Sequence, residues 1–267
     1  MIETIANDIR TQRTRAVFVF GGPKYDFSGL ESRLALLANE FGGLCLTSYV
    51  EATTVQIAGF SVRAVRWGEG GIGQSFRMLS EAIRIAARER QLSDKARIVV
   101  ATDALKSGLV GWLIATISGA RLIVEVNGEY ARKENYSDIS GWRGWLKWRL
   151  YTSLSKFVLR RSDGIRLLYS SQISHVDGLR ASCIIETIPE VVYTDLFRNL
   201  GEEKVILFAG FPLYVKGVDI LIGAFKKIAE RHDAWTLRIL GWFPDRALLD
   251  RFIAGHPRIE VLPPVPH

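Results

Sequence analysis

Residues 205–219 read VILFAGFPLYVKGVD. Lys204 to Ala209 is a short apolar run with β-branched and aromatic content, which predicts a strand, and Gly210 breaks it. After a loop, Gly217 opens VDILIGAFKKIAERH. There Val218, Leu221, Ile222, Phe225, Ile228 and Ala229 fall at helical spacing, and Lys226, Lys227, Glu230 and Arg231 take the other face. The order is strand, loop, helix. In an open α/β sheet ligands sit in the loops at the carboxyl ends of strands, and a cation beside a helix N-terminus suits a phosphate. Lys216 is that cation.

Working outward, Thr236 to Gly241 (TLRILG) predicts the next strand, a turn follows around Pro244, and RIEVLPPVP from Arg258 predicts a third. Together with AFKKIAERH, these stretches make the segment from Val205 to His267 resemble the first half of the donor-binding domain of family 4 glycosyltransferases. The family's usual pattern is strand, Gly-Arg, four variable residues, Lys-Gly-Val-Asp and a helix. Two departures stand out: Phe211 takes the place of the Arg, and the usual Gly-x-Gly-Pro after the second strand reads Gly241, Trp242, Phe243, Pro244.

The resemblance implies a glycosyltransferase-B architecture of two doubly wound α/β units, and so a fold of the α/β class. The first, residues 1–200, would be the acceptor side; residues 201–267 would be the first half of the nucleotide-sugar domain. It implies transfer of a sugar, with retention at the anomeric carbon, from a nucleotide-sugar to a glycan or lipid-linked acceptor in polysaccharide or glycolipid biosynthesis. Gly210, Phe211, Lys216 and Gly217 would meet the donor phosphates, with the Gly217 amide as one donor, and Leu262 to Pro266, including Pro264, would lie near the nucleobase. Lys216 and backbone amides would stabilise the diphosphate leaving group without an obligatory metal, and no cofactor is implied. Family members continue through a pair of donor-contacting glutamates, whereas this chain stops at His267. It is therefore expected to be truncated, to lack turnover alone and to associate through an uncovered edge. The alternative is an inactive homologue that binds a membrane or partner.

Towards the N-terminus, Arg15 to Phe20 predicts the first strand, ended by Gly21, Gly22 and Pro23. Ser28 is the expected N-cap of a helix, with Glu31 at the capping-box position. GGPKYDFSGL lacks the dinucleotide glycine pattern. In the resembled family this loop faces the acceptor, and Ser28 and Gly29 are its counterparts; a turn that binds nothing fits equally. Strands are predicted at Leu44 to Val50, Val55 to Ala58 and Val62 to Trp67. A flexible joint from Gly68 to Gly73 then leads to a helix from Gln74 to Arg90. Ile98 to Ala101 is a buried strand with Thr102 and Asp103 just past its end, ahead of an apolar helix at Leu109 to Ala120. Arg121 to Val126 delivers Glu125, Asn127 and Glu129 to a strand end. Many relatives carry His-Gly there, and a subset read Glu-Val-Asn as here. Asp103, Asn127 and Glu129 are the acceptor-side candidates. Asn127 can hydrogen-bond a sugar hydroxyl or stabilise a turn, but it cannot act as a general base. Gly164 to Tyr169 reads as the last clear strand of this half, with a short helix holding His175 after it. Cys183 to Ile188 and Pro189 lead into EVVYTDLFRNLGEE, which resembles the family's interdomain segment.

Residues 141–161 (GWRGWLKWRLYTSLSKFVLRR) hold six Lys or Arg and no Asp or Glu, which nearly accounts for the net charge of +7. On a helical projection Leu146, Leu150, Leu154 and Phe157 share one face, suited to the core. Trp145, Trp148 and Leu159 fall on the other, beside Arg149, Lys156 and Arg160. Trp145 and Trp148 with those cations suit an anionic membrane surface; packing alone is the competing reading. A nucleic-acid partner is not expected, since no recognised motif accompanies the charge. A Rossmann-type oxidoreductase is excluded by the missing glycine fingerprint. The opening MIETIANDIR is no secretory signal and Leu109 to Ala120 is too short to span a bilayer, so the expected location is cytoplasmic, peripheral on the inner face of the plasma membrane. Cys45 and Cys183 read as packing residues, four scattered histidines offer no metal spacing, and His175 reads as a surface residue.

Overall fold

The structure is a computed structural model and describes residues 13–24, 27–66, 71–136, 139, 141–189, 201, 203–211, 213–243 and 245–263. The chain divides into two compact units, Met1–Ala131 with Leu150–Glu190, and Arg132–Arg149 with Val191–His267.

The first unit is an eight-stranded sheet in the order β3-β4-β2-β1-β5-β6-β7-β8. Its strands are β1 (Thr14–Lys24), β2 (Phe41–Tyr49), β3 (Thr53–Ile57), β4 (Phe60–Arg66), β5 (Ile98–Ala101), β6 (Arg121–Val126), β7 (Gly164–Leu167) and β8 (Ile184–Thr187). Every pairing is parallel except β3 with β4. The central β1 is apolar at each of Ala16 to Phe20 because both of its faces are covered. Ala16, Phe18 and Phe20 pack with Leu30 and Leu34 of α1 (Ser28–Leu37). Val17 and Val19 face the opposite core, with Met78, Ala82 and Ile85 of α2 (Gly71–Gln91), Val110 and Ile114 of α3 (Lys106–Ser118), and Val158 and Leu159 of α4 (Gly141–Leu159). Helices on both faces of a parallel sheet make this a doubly wound α/β unit.

The second unit is a parallel three-stranded sheet in the order β11-β10-β9. It comprises β9 (Val205–Ala209), β10 (Thr236–Leu240) and β11 (Ile259–Leu262), with α5 (Val218–Ala229) and α6 (Arg246–Ile253). Leu237, Ile239 and Ile259 pack against Val218, Ile222 and Phe225 of α5 and Leu249 and Ile253 of α6. The other face carries Arg238, whose guanidinium pairs with Glu260 at 2.9 Å and Glu203 at 3.4 Å. Leu207 of β9 is exposed because it pairs in register with Arg238 and shares the face turned away from the α5 and α6 core, so β9 is not the fully buried strand its composition suggests.

Several boundaries differ from the sequence expectation. The N-cap of α1 is Phe27, without a side-chain cap, in place of Ser28. The expected joint at Gly68 to Gly73 is helical from Gly71, since glycine weakens a helix without forbidding it. β8 was not anticipated: all four residues are exposed on a sheet edge, so Ile-Ile-Glu-Thr shows no alternation. The 3-10 turn Ser170–Ile173 ends before His175. Cys45 is buried and Cys183 is half-buried; both are free thiols. Trp67 to Gly70, Glu190 to Leu200 and Pro244 lie outside the described residues.

Candidate functional sites at two strand edges

In the second unit, the expected phosphate loop follows β9. Gly210 has φ +148, and its amide donates to the Leu240 carbonyl at 2.9 Å. A Cβ on Gly241 would collide with the Gly210 carbonyl oxygen, so the ends of β9 and β10 meet backbone to backbone. The loop then folds on itself. Leu213 is buried and its carbonyl accepts from the Val218 amide at 2.9 Å. Gly217 takes the left-handed conformation, φ +68, as the N-cap of α5. Its amide donates to the Tyr214 carbonyl at 3.1 Å, so it is spent within the turn and does not point at a ligand as the resemblance had implied. The first-turn amides of Asp219 and Ile220 are the donors that no side chain caps. Lys216 is exposed, and its stem lies 4.0 Å from where a Gly210 Cβ would stand. Gly210, Lys216 and the start of α5 therefore converge at the carboxyl edge of the sheet.

Two half-exposed aromatic rings stand at the same edge. Phe211 and Trp242 meet edge to face with centroids 5.9 Å apart. Phe211 stands where the resembled pattern has its arginine, and Trp242 occupies the variable position of Gly-x-Gly-Pro, next to the departure at Phe243. Leu262 ends β11 at this edge, and its carbonyl accepts from the Gly241 amide at 3.4 Å. Pro264 lies outside the described residues. Asp219, the last residue of the Lys-Gly-Val-Asp match, has a buried Oδ1 without a hydrogen-bond partner among the described residues.

In the first unit, β1 connects onward to one side of the sheet while β5 lies on the other, so β1 and β5 flank the point where strand order reverses. The residues past their ends are tied together. The Gly21 amide donates to Thr102 Oγ1 at 3.2 Å, and Asn127 Nδ2 donates to the Thr102 carbonyl at 2.8 Å. Asp103 Oδ1 accepts from the Leu105 amide at 2.6 Å, shaping the turn into α3. A cavity of about 80 Å³ opens beside them, lined by Gly21, Ser48, Ser75, Lys106 and Ser107. Asp103 and Asn127 are thus brought together, each with a structural task. Gly29 is exposed in the first turn of α1, which begins at Ser28, and Glu129 is half-buried beyond β6. What links α1 to β6 is an ion pair between Arg33 and Glu125, with Arg166 3.7 Å from the same carboxylate and Arg33 stacked on Phe20 at 5.1 Å. No sequence motif marks this triad, because its members are 92 and 41 positions apart.

Neither a family model nor a curated protein matches the sequence. Solved structures do. Sucrose-phosphate synthase from Thermosynechococcus elongatus is similar over 94% of this chain and 71% of its own, with a TM-score of 0.67 at 13% identity. Anabaena HepE, in a complex with UDP-glucose, is similar over 94% and 69%, with 0.60 at 12%. A Listeria monocytogenes protein assigned as a UDP-N-acetylglucosamine 2-epimerase is similar over 95% and 69%, with 0.54 at 12%. This chain has the glycosyltransferase-B fold. At such identities the likeness concerns architecture alone.

Within the glycosyltransferase-B fold, the helix expected to meet a membrane packs differently from the sequence projection. Leu159, expected outside, is fully buried with Val158 and Ser155, whereas Leu146 and Leu150, expected in the core, are exposed. A Cβ on Gly144 would collide with the Ile139 carbonyl oxygen, where the chain enters the helix, and one on Gly108 of α3 would collide with Val158, where α3 and α4 pack closely. Trp145 is exposed with Arg149 over its ring at 5.7 Å, Trp148 is half-buried, Lys156 is half-buried, and Arg160 donates to the Asp177 carbonyl at 2.6 Å. His175 is partly buried 3.5 Å from Ser155 Oγ, and burial, then Lys156, holds its pKa below the usual value. Among the described residues no helix is long and apolar enough to cross a membrane, and no group of three or more His, Cys, Asp or Glu could hold a metal.

Proposed function

We propose that the protein binds a nucleotide-sugar at the carboxyl edge of β9 to β11 and transfers the sugar, with retention, to a glycan or lipid-linked acceptor. The observation that supports this reading is the convergence of Gly210, Lys216 and the uncapped first turn of α5 at one strand edge. Anions are favoured there by the helix dipole and by a charge-assisted bond from the ammonium. Both interactions strengthen as negative charge gathers on the departing diphosphate, which is how they would lower the barrier. Leu262, and Pro264 beyond it, would border the nucleobase. Gly29, Asp103, Asn127 and Glu129, with Ser28, would form the acceptor side, where Asn127 would also hold the turn. The setting of this reading is the cytoplasmic face of the plasma membrane.

Titration calorimetry of UDP and GDP with the parent and Lys216→Ala tests the phosphate role. A charge-assisted bond of about 1.5–3 kcal/mol predicts roughly 10- to 150-fold weaker binding; equal binding refutes it. An epimerase-assigned protein shares the fold. The turnover assay must therefore follow radiolabelled sugar into acceptor, since diphosphate release alone does not distinguish the reactions. Binding without transfer would favour the inactive, membrane- or partner-binding reading.

A further inference from the structure

Helix α4 presents to solvent the side that a globular protein ordinarily buries. Trp142 is 69% exposed, Trp145 52%, Leu146 49% and Leu150 59%. At about 100° per residue, these four positions fall with Arg149 on one side of the helix, while Gly144, Ser155, Val158 and Leu159 occupy the buried side. Arg143 and Lys147, both exposed, border the apolar strip. Arg143 lies over Trp142 at 5.9 Å and Arg149 over Trp145 at 5.7 Å, so the cations are held against the rings. No carboxylate falls anywhere in residues 141–161. Beside the strip, Trp145, Gly141 and Gly144 join Lys133, Glu134, Tyr136 and Ile139 around an open groove of about 400 Å³.

We infer that this strip is a docking surface for an anionic lipid bilayer, with α4 lying along the interface and Trp142, Trp145, Leu146 and Leu150 inserted. The apolar strip and the guanidiniums of Arg143 and Arg149 beside it, on a helix that carries no carboxylate, fit a negatively charged, apolar surface. A protein partner or a second copy would have to supply a matching acidic and apolar patch. Tryptophan suits the depth at which headgroups meet acyl chains, and the bordering Arg143, Lys147 and Arg149 can reach phosphates while the strip is buried. The surface is therefore not the Trp145–Trp148 face of the sequence projection, since Trp148 is half-buried and Leu159 is core. The inference gives the membrane setting proposed above its contact residues, and it does not depend on sugar transfer.

The test uses the full chain with vesicles of phosphatidylcholine alone and of phosphatidylcholine mixed with phosphatidylglycerol. One variant carries Trp142→Ser, Trp145→Ser, Leu146→Ser and Leu150→Ser; a second carries Arg143→Gln, Lys147→Gln and Arg149→Gln. All these side chains are exposed, and circular dichroism and thermal melting verify folding. The parent should bind the mixed vesicles, with a blue shift of tryptophan emission, and bind neutral vesicles at least tenfold less. The apolar variant should bind mixed vesicles at least tenfold more weakly than the parent. At about 1 kcal/mol, or roughly fivefold, for each cation near the surface, the charge variant should lose on the order of a hundredfold. Equal binding of the parent to both vesicles, no binding, or undiminished binding of the apolar variant overturns the proposal. Self-association lost in the apolar variant, without vesicle binding, assigns the strip to a second copy and equally overturns it.

Discussion

Removing the Glu89 carboxylate should destabilise the first unit more than an ordinary surface substitution can. Glu89 is only 1% exposed, yet it accepts three hydrogen bonds: from Arg15 Nε at 2.9 Å, Arg15 Nη2 at 2.7 Å and the Ala96 amide at 3.0 Å. Arg15 lies on β1 and Ala96 two residues before β5, so one side chain of α2 ties together the two central strands. Glu89→Ala strands a guanidinium and a buried amide. Breaking a buried pair costs about 3–5 kcal/mol, and an unpaired buried donor about 1–3. Because the Arg15 side chain remains 27% exposed, water recovers part of this, and about 3 kcal/mol is expected. Burial alone would raise the Glu89 pKa; the Arg15 hydrogen bonds, then the Ala96 amide, outweigh it and hold the carboxyl below the usual range. A depressed folded pKa contributes stability above the unfolded value of about 4.3, and that contribution is lost as pH falls through the folded pKa. Urea unfolding of parent, Glu89→Ala, Arg15→Ala and the double variant, from neutral pH to pH 3, supplies the measurement. The parent and Glu89→Ala curves should converge on the acid side. A loss below about 1 kcal/mol at neutral pH, or an unchanged acid limb, would refute the reasoning.

Phe211→Arg should restore a second cation beside Lys216 and tighten UDP binding about tenfold or more in calorimetry, from one further charge-assisted bond. Asn127→Ala removes the bond to the Thr102 carbonyl and should lower the urea midpoint by the equivalent of about 1 kcal/mol while leaving UDP affinity unchanged. The Cys183 thiol is pushed up by burial, then by Asp163, so at neutral pH it should react slowly with an aromatic disulfide reagent. Fully buried Cys45 should react only on unfolding, as timed absorbance would show.

The parts of the molecule that were legible in the sequence are those whose signal is local. The strand, loop and helix from Val205 to Ala229 read directly because apolar spacing switches period across Gly210 and Gly217. β1 read directly because burial on both faces leaves an unbroken apolar run. What stayed hidden depends on partners distant in the chain. The α4 projection ranked large apolar residues as core, whereas the packed side carries Ser155, Val158 and Leu159 and meets α3 closely at Gly108, a partner 50 positions from Val158. β8 pairs along one edge only and shows no alternation. The Gly217 amide could not be known to be occupied, since Tyr214 reaches it only through the left-handed turn. The contact between Phe211 and Trp242 joins two residues that look independent on a linear sequence, because parallel strand ends become neighbours only once β9 and β10 pair.

The turn at the end of β1 also constrains how this protein can change through descent. A Cβ on Gly21 would press on Asp103 Oδ2, so a larger residue there requires the carboxylate to turn, and the same carboxylate accepts from the Leu105 amide at the entry to α3. Positions 21 and 103 are thus coupled in history: a lineage that enlarges the glycine must displace the aspartate or lose it. Losing the aspartate first costs the turn its hydrogen bond before any benefit can accrue. Among homologues the two positions should therefore covary, with Gly21 mostly retained where Asp103 persists and larger residues at position 21 concentrated in branches that have lost the carboxylate.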